Sequence, residues 1–165
     1  MAKIRTAYFN EAEEISTVLA KSWKAAYRGI VDDDYLDALP YNHWVDFLTS
    51  GLNNNSITVV VLEDEQQIVG AAIISKTENV GECCLISFYL LPNKIGQGFG
   101  HNFYIGIEKE LKNKGYLSCI LDVIENNTRA RRFYEAHGFR VLDKVIYVTL
   151  GGKSYTCKVY EKALE

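Results

Sequence analysis

The sequence predicts a mixed α/β fold of the α+β kind. Its core would be a central, mostly antiparallel sheet of about seven strands flanked by helices, in one domain over residues 1–165. Three observations carry this. Helix-periodic segments occupy residues 10–51. A meander of β-rich runs follows, joined by tight turns. The second half then runs strand, helix, strand, helix, and closes with two strands around Gly151-Gly152, a hairpin signal. That order departs from the regular alternation of a doubly wound sheet.

Composition narrows the class. The chain has 165 residues, 48% of them apolar and 24% charged, enough for a sizeable core and not the profile of a disordered segment. A net charge of −3 argues against general nucleic-acid binding. No apolar run reaches membrane-spanning length, and Met1-Ala-Lys-Ile-Arg-Thr lacks a signal-peptide core, so a cytoplasmic protein is expected. Cys83, Cys84, Cys119 and Cys157 form no C-x-x-C pair and no metal-ligand spacing with His43, His101 or His137. Buried reduced thiols and no metal are the expectation.

In chain order, Ile4–Ala7 reads as a first strand. Asn10 followed by Glu13 is a variant capping box. Ile15, Val18, Leu19, Trp23 and Ala26 continue at helical spacing to Gly29. Asp32 is placed to cap a short helix carrying Tyr35, Leu36 and Leu39, which Pro40 stops. Trp44, Phe47 and Leu48 mark a third helix ending near Gly51, before an Asn53–Asn55 turn. Ile57–Leu62 and Ile68–Ser75 read as strands joined by a hairpin at Asp64–Gln66, and Glu82–Leu91 as another. Phe99, Phe103, Ile107 and Leu111 make one apolar helix stripe, with Glu108/Lys112 and Glu110/Lys114 as i,i+4 pairs and Gly115 as the stop. Leu117–Ile124, the helix Thr128–His137, and the strands Val141–Leu150 and Tyr155–Tyr160 complete the chain. The connection through the central helix is a candidate parallel crossover.

The stretch Ser87–Gly100 carries the chemistry. A strand stops at Pro92, a turn holds Gly96, Gly98 and Gly100, and a helix begins. Such a turn brings backbone amides and the positive end of a helix close to an anion. The same glycines also suit a plain tight connection. A G-x-G-x-x-G dinucleotide turn would need glycine where His101 stands, and no P-loop is present.

Gly96–Gly100 resembles the coenzyme A loop of the GNAT superfamily of N-acetyltransferases, [Q/R]-x-x-G-x-[G/A], with Gly98 and Gly100 on its glycines and Ile95 where the family has Gln or Arg. Leu121–Phe139 is similar to the family's later strand and helix, L-x-V-x-x-x-N-x-x-A-x-x-x-Y-x-x-x-G-F, through Asn127, Ala130, Tyr134, Gly138 and Phe139. Phe88–Pro92 and Ile68-Val-Gly70 resemble its earlier strands, so the likeness covers residues 57–139.

The resemblance implies a GNAT-like fold and acetyl transfer from acetyl-CoA, the co-substrate, directly to a primary amine of a small molecule or peptide. It implies that the backbone of Phe88, Tyr89 and Leu90 pairs with pantetheine where the sheet splays. The amides from Gly96 through Gln97, Gly98, Phe99 and Gly100 to His101 would hold the pyrophosphate, and Asn127 the pantetheine arm. Tyr134 would be the general acid, since a phenol is protonated at neutral pH; packing is its other role. Asp122 and Glu82 are the candidate bases, unless each is a solvated strand-edge acid and waters carry the proton. Arg129, Arg131 and Arg132 either assist phosphates or form a solvated face. Asp32, Asp33, Asp34 and Asp37 beside Trp23, Tyr27 and Tyr35 suit a cationic acceptor, or are merely a helix start. No His stands beside the cysteines as a nucleophile motif would require. The competing class is a non-catalytic acyl-CoA-binding regulator on the same scaffold. A homodimer and the acceptor's identity are left open.

Overall fold

In the computed structural model, which describes residues 2–165, seven strands make one sheet in the order β1-β2-β3-β4-β5-β7-β6. They are β1 (Lys3–Thr6), β2 (Thr58–Asp64), β3 (Gln67–Lys76), β4 (Glu82–Leu90), β5 (Ser118–Ile124), β6 (Arg140–Leu150) and β7 (Lys153–Ala163). Only β4 and β5 run parallel, joined by α4 (Phe99–Asn113). The remaining helices are α1 (Ala12–Ala26), α2 (Asp33–Ala38), α3 (Val45–Asn53) and α5 (Thr128–Ala136). The expected mixed, mostly antiparallel sheet is present. Among the described residues no helix is long and apolar enough to cross a membrane.

Both hairpins follow from their turns. Glu65 and Gln66 take φ 50° and 67°, and Gly151 and Gly152 take 59° and 79°. Two consecutive positive φ values match the right-handed twist of paired strands. The start of α1 differs from the capping box expected at Asn10. The chain makes a short 3₁₀ turn over Phe9–Glu11, and the Glu11 carboxylate accepts from the Tyr8 N–H at 2.7 Å. The reason is Arg5, whose guanidinium donates to both Glu11 oxygens at 3.0 and 2.7 Å and to Glu63 on β2 at 3.0 Å.

That network ties β1 to the body, and its side chains are only 14–21% exposed. Arg5 holds the Glu11 carboxyl below the ordinary carboxylate range. Arg5→Ala is expected to lower the unfolding free energy by about 1.5–3 kcal/mol at neutral pH. A depressed folded pKa means this stability is full above the unfolded value and fades as pH falls through the folded one. Urea titrations at pH 7 and 3 check this, and an equal deficit at both would remove the ion-pair account.

Two apolar layers sandwich the sheet. On one face α4 buries Phe103, Tyr104, Ile107 and Leu111 with Cys83, Leu85, Leu121, Val123 and Tyr160. Each such side chain contributes about 1.5–3 kcal/mol on burial. On the other face α1 and α3 bury Ile15, Val18, Leu19 and Leu48 against Val59, Val61, Ala71 and Ile73. Gly70 of β3 is set by contact, because a Cβ there would lie 2.7 Å from Leu90 and 3.1 Å from the Tyr89 carbonyl. Cys83, Cys119 and Cys157 are buried and Cys84 half-buried, all as free thiols.

Strand β4 changes sides midway. Ile73 faces Ser87 and Ile74 faces Leu85, so Ile86 is an extra residue, a β-bulge. Before it Cys83 and Leu85 point toward α4; after it Phe88 and Leu90 do. Tyr89 is thereby turned to the α1 face. Beyond Cys84 and Ile120 the parallel ladder stops, although both strands continue. From there β5 pairs only with β7, and the sheet opens between β4 and β5.

Candidate active site

The opening between the two strands leads into a cleft of about 880 Å³. Phe88, Tyr89 and Leu90 form one wall; Asn127, Ala130, Phe133 and Tyr134 form the other. The glycine turn and the start of α4 close one end, and Ala25, Ala26 and Ile30 of the α1 end close another. In an antiparallel pair successive residues direct their backbone groups alternately toward and away from the partner. The Leu91 N–H bonds to Val69 of β3, so Leu90 and Phe88 direct theirs into the opening. The Leu90 carbonyl lies 2.8 Å from the buried Ser22 hydroxyl of α1, whose one proton it shares with the Val18 carbonyl at 2.7 Å. Nothing in the sequence singled out Ser22, a small polar residue on an otherwise apolar helix face.

The turn is built to present amides. Gly96 and Gly98 take φ 82° and 85°, the left-handed region that favours glycine, and Gly98 is the N-cap of α4. The first bond of the helix is from the Asn102 N–H to the Gly98 carbonyl at 3.2 Å. No amide N–H from Gly96 to His101 has a hydrogen-bond partner among the described residues. Six consecutive donors at the positive end of a fifteen-residue helix are therefore left free, and Gly96, Gly98, Gly100 and His101 among them line the cleft. Among the described residues no carboxylate lines the cleft itself, while Arg129 does; Asp122 lies outside its walls, on the α1 face of β5. These features fit the diphosphate of a coenzyme A. Arg131 is engaged elsewhere, donating to the Tyr160 hydroxyl at 2.9 Å and to the Glu125 carbonyl.

Asn127 has a local duty as well. Its side-chain oxygen caps α5 by accepting from the Ala130 N–H at 3.2 Å. That leaves only its NH₂ group for the cleft. Tyr134 follows two helical turns later, and its hydroxyl has no hydrogen-bond partner among the described residues. Burial pushes its phenol well above the ordinary value, aided by the negative potential of Tyr27, Cys119 and Asp122. Asp122 lies on β5 past the last residue paired to β4, and is exposed. Surrounding protein still desolvates its carboxylate and raises its pKa.

Glu82 is not brought to this cleft. It sits at the closed end of β4, and the six residues to Phe88 span roughly 20 Å of strand. Its carboxylate accepts from Thr77 at 2.7 Å and Asn79 at 3.1 Å, so it is a loop anchor. Three of the four acids of the α2 segment are also tied. Asp32 caps α2 and pairs with Lys153 at 2.8 Å, while Asp33 and Asp37 share Arg28 at 3.2 and 3.0 Å. His101 and His137 contact each other, Nδ1 to Nε2 at 2.9 Å, bridging α4 to the end of α5. Among the described residues no group of three or more His, Cys, Asp or Glu is arranged to hold a metal.

Residues 17–139 match the sequence profile of the acetyltransferase (GNAT) family. The chain belongs to that family. It is an N-acetyltransferase that uses acetyl-CoA as co-substrate and an amine as acceptor. Among its GNAT relatives, the uncharacterized N-acetyltransferase YuaI of Bacillus subtilis is 31% identical over 143 residues, 83% of this chain and 79% of YuaI. The spermidine N(1)-acetyltransferase of Thermoplasma acidophilum is 25% identical over 146 residues, 86% of this chain and 89% of that enzyme. In three dimensions the GNAT fold here resembles the crystal structure of PaiA N-acetyltransferase from Thermoplasma acidophilum in complex with coenzyme A. The TM-score is 0.79 at 23% identity, covering 99% of both chains.

Proposed function

We propose that this GNAT enzyme, one domain over residues 1–165, acetylates a small cationic amine of the polyamine class. The observation that carries the reading is the single opening between β4 and β5. On one face it meets the free amides and Tyr134; on the other stand Tyr27, the residue after α1, and Tyr89 of β4, with Asp122 of β5 pointing to that same face. Similarity to a spermidine acetyltransferase supports the choice of amine. The chain's charge of −3 supports attraction of a cation.

Acetyl-CoA supplies the thioester carbonyl that the amine attacks directly. The amides from Gly96 to His101 hold the diphosphate, with Arg129 alongside. The NH₂ of Asn127 and the outward backbone groups of Phe88 and Leu90 orient the pantetheine arm. Asp122 removes a proton from the arriving ammonium, and its raised pKa makes it a stronger base than an ordinary carboxylate. Tyr134, kept protonated by burial, gives its proton to the departing sulfur.

Free-thiol release over a panel of spermidine, spermine, putrescine, amino acids, aminoglycosides and N-terminal peptides tests the acceptor. Polyamines are expected to give the highest kcat/KM, and their KM should rise with ionic strength as the surface field is screened. A peptide or a neutral amine ahead of every polyamine would overturn the assignment.

A further inference from the structure

One pair of polar groups in the cleft region has no assigned duty. The hydroxyls of Tyr27, the residue after α1, and Tyr89, just past the β4 bulge, lie 2.6 Å apart. Tyr27 is 8% exposed. Two phenols carry two protons, and their contact uses one. No other described group bonds to either oxygen. One O–H and several lone pairs are therefore left unused beside the cleft that Tyr89 lines, in a place where an unused polar group costs about 1–3 kcal/mol. The rings themselves are fixed. Trp23 packs on Tyr27 at 4.6 Å and on Tyr89 at 6.1 Å, and Trp44 backs Trp23 at 5.5 Å.

Leu121 and Val123 pack in the α4 layer, so Asp122 between them on β5 points to the opposite face, the one that holds Tyr27 and Tyr89. Its charge pushes both phenols, and also Tyr134, Cys84 and Cys157, upward. Those groups, from the end of α1, from β4, α5 and β7, are the titratable groups that feel its carboxylate. None is a cation, and Asp122 has no ion-pair partner among the described residues. A carboxylate without a counter-ion, beside aromatic faces and a spare hydroxyl, is a setting for an ammonium group.

We propose that the Tyr27–Tyr89 hydroxyl pair positions the acceptor nitrogen between Asp122 and the thioester, with Tyr27 acting through Tyr89. This rests on the amine-acetylation reading above. The ammonium gives one proton to the Asp122 carboxylate and keeps an N–H bond to the Tyr89 oxygen. The nitrogen lone pair then forms the C–N bond to the acetyl carbon as the C–S bond breaks. Tyr134 gives its proton to the sulfur and regains one from the new amide nitrogen, while Asp122 releases its proton to solvent. Tyr89 changes no charge; it aims the lone pair.

Tyr27→Phe and Tyr89→Phe keep the rings and remove one hydroxyl each. Steady-state kinetics with spermidine, or with the panel's best amine if that is another, separate this inference from the polyamine assignment. Each variant should raise the amine KM roughly three- to tenfold, the loss of one neutral hydrogen bond, with the acetyl-CoA KM unchanged. The double variant should be no worse than either single, because the hydroxyls act as a unit. Asp122→Asn should erase the low-pH limb of kcat/KM for the amine, which both tyrosine variants retain. Wild-type amine kinetics in both single variants, with only the melting temperature lowered, would make the pair a tie between α1 and β4. Additive losses in the double variant would equally overturn the inference.

Discussion

Tyr134→Phe is expected to bind acetyl-CoA with unchanged affinity and to lose at least about 100-fold in kcat, since general acid catalysis contributes about 10²–10⁴-fold. The phenol hydroxyl bonds to none of the described residues, so its removal leaves no orphaned partner among them. The ring keeps its edge contacts to Phe88, Phe133 and Phe139 at 6.4, 5.5 and 5.6 Å, so stability should barely change. Because the phenol is pushed upward, wild-type activity should show no high-pH loss from Tyr134 in the ordinary tyrosine range. Single-turnover thiol release and calorimetry measure the two quantities apart. A variant with wild-type kcat across several pH values would reduce Tyr134 to a packing residue.

Gly98→Val carries the second large effect. At φ 85° a β-branched residue is strained by roughly 1–2 kcal/mol, which the chain relieves by turning the loop amides away. Loss of even one amide-to-phosphate bond, about 1.5–3 kcal/mol, weakens acetyl-CoA binding about 10- to 100-fold. A Cβ at this position meets nothing within 4 Å, so the domain should still fold. Calorimetric titration with acetyl-CoA, beside a circular-dichroism melt, checks both halves. Unchanged affinity in a folded variant would remove the amide turn from the binding account.

Much of this was legible in the chain because the signals were local. The β4–turn–α4 unit announces itself through three glycines and an i+4 stripe, and both hairpins through their turn residues. Asn127, Ala130 and Tyr134 stand at spacings that a single helix fixes. What was hidden depended on partners distant in sequence. Glu82 looked like a residue leading into the site, but nine residues of strand put it at the opposite end. Asp33 and Asp37 looked like a free acidic patch, yet Arg28 folds back on them. The Tyr27–Tyr89 contact joins residues 62 apart, beyond any periodicity. The Ile86 bulge was invisible for another reason. Cys-Cys-Leu-Ile-Ser-Phe-Tyr-Leu is apolar almost throughout, so no polar alternation marks where the parity changes.

That one extra residue divides the labour of β4. Because of it, Phe88 and Leu90 pack with the α4 layer and Tyr89 with the α1 layer, which the proposed function assigns to coenzyme and acceptor respectively. On that proposal, a change at Tyr89, Tyr27 or Trp23 is expected to alter which amine is accepted while leaving the α4-side wall of the cleft in place. In evolutionary terms the two specificities can drift independently on a shared strand. Drawing Ile86 into a regular ladder would cross them, turning the Tyr89 phenol toward the α4 layer and the Phe88 phenyl toward the α1 layer.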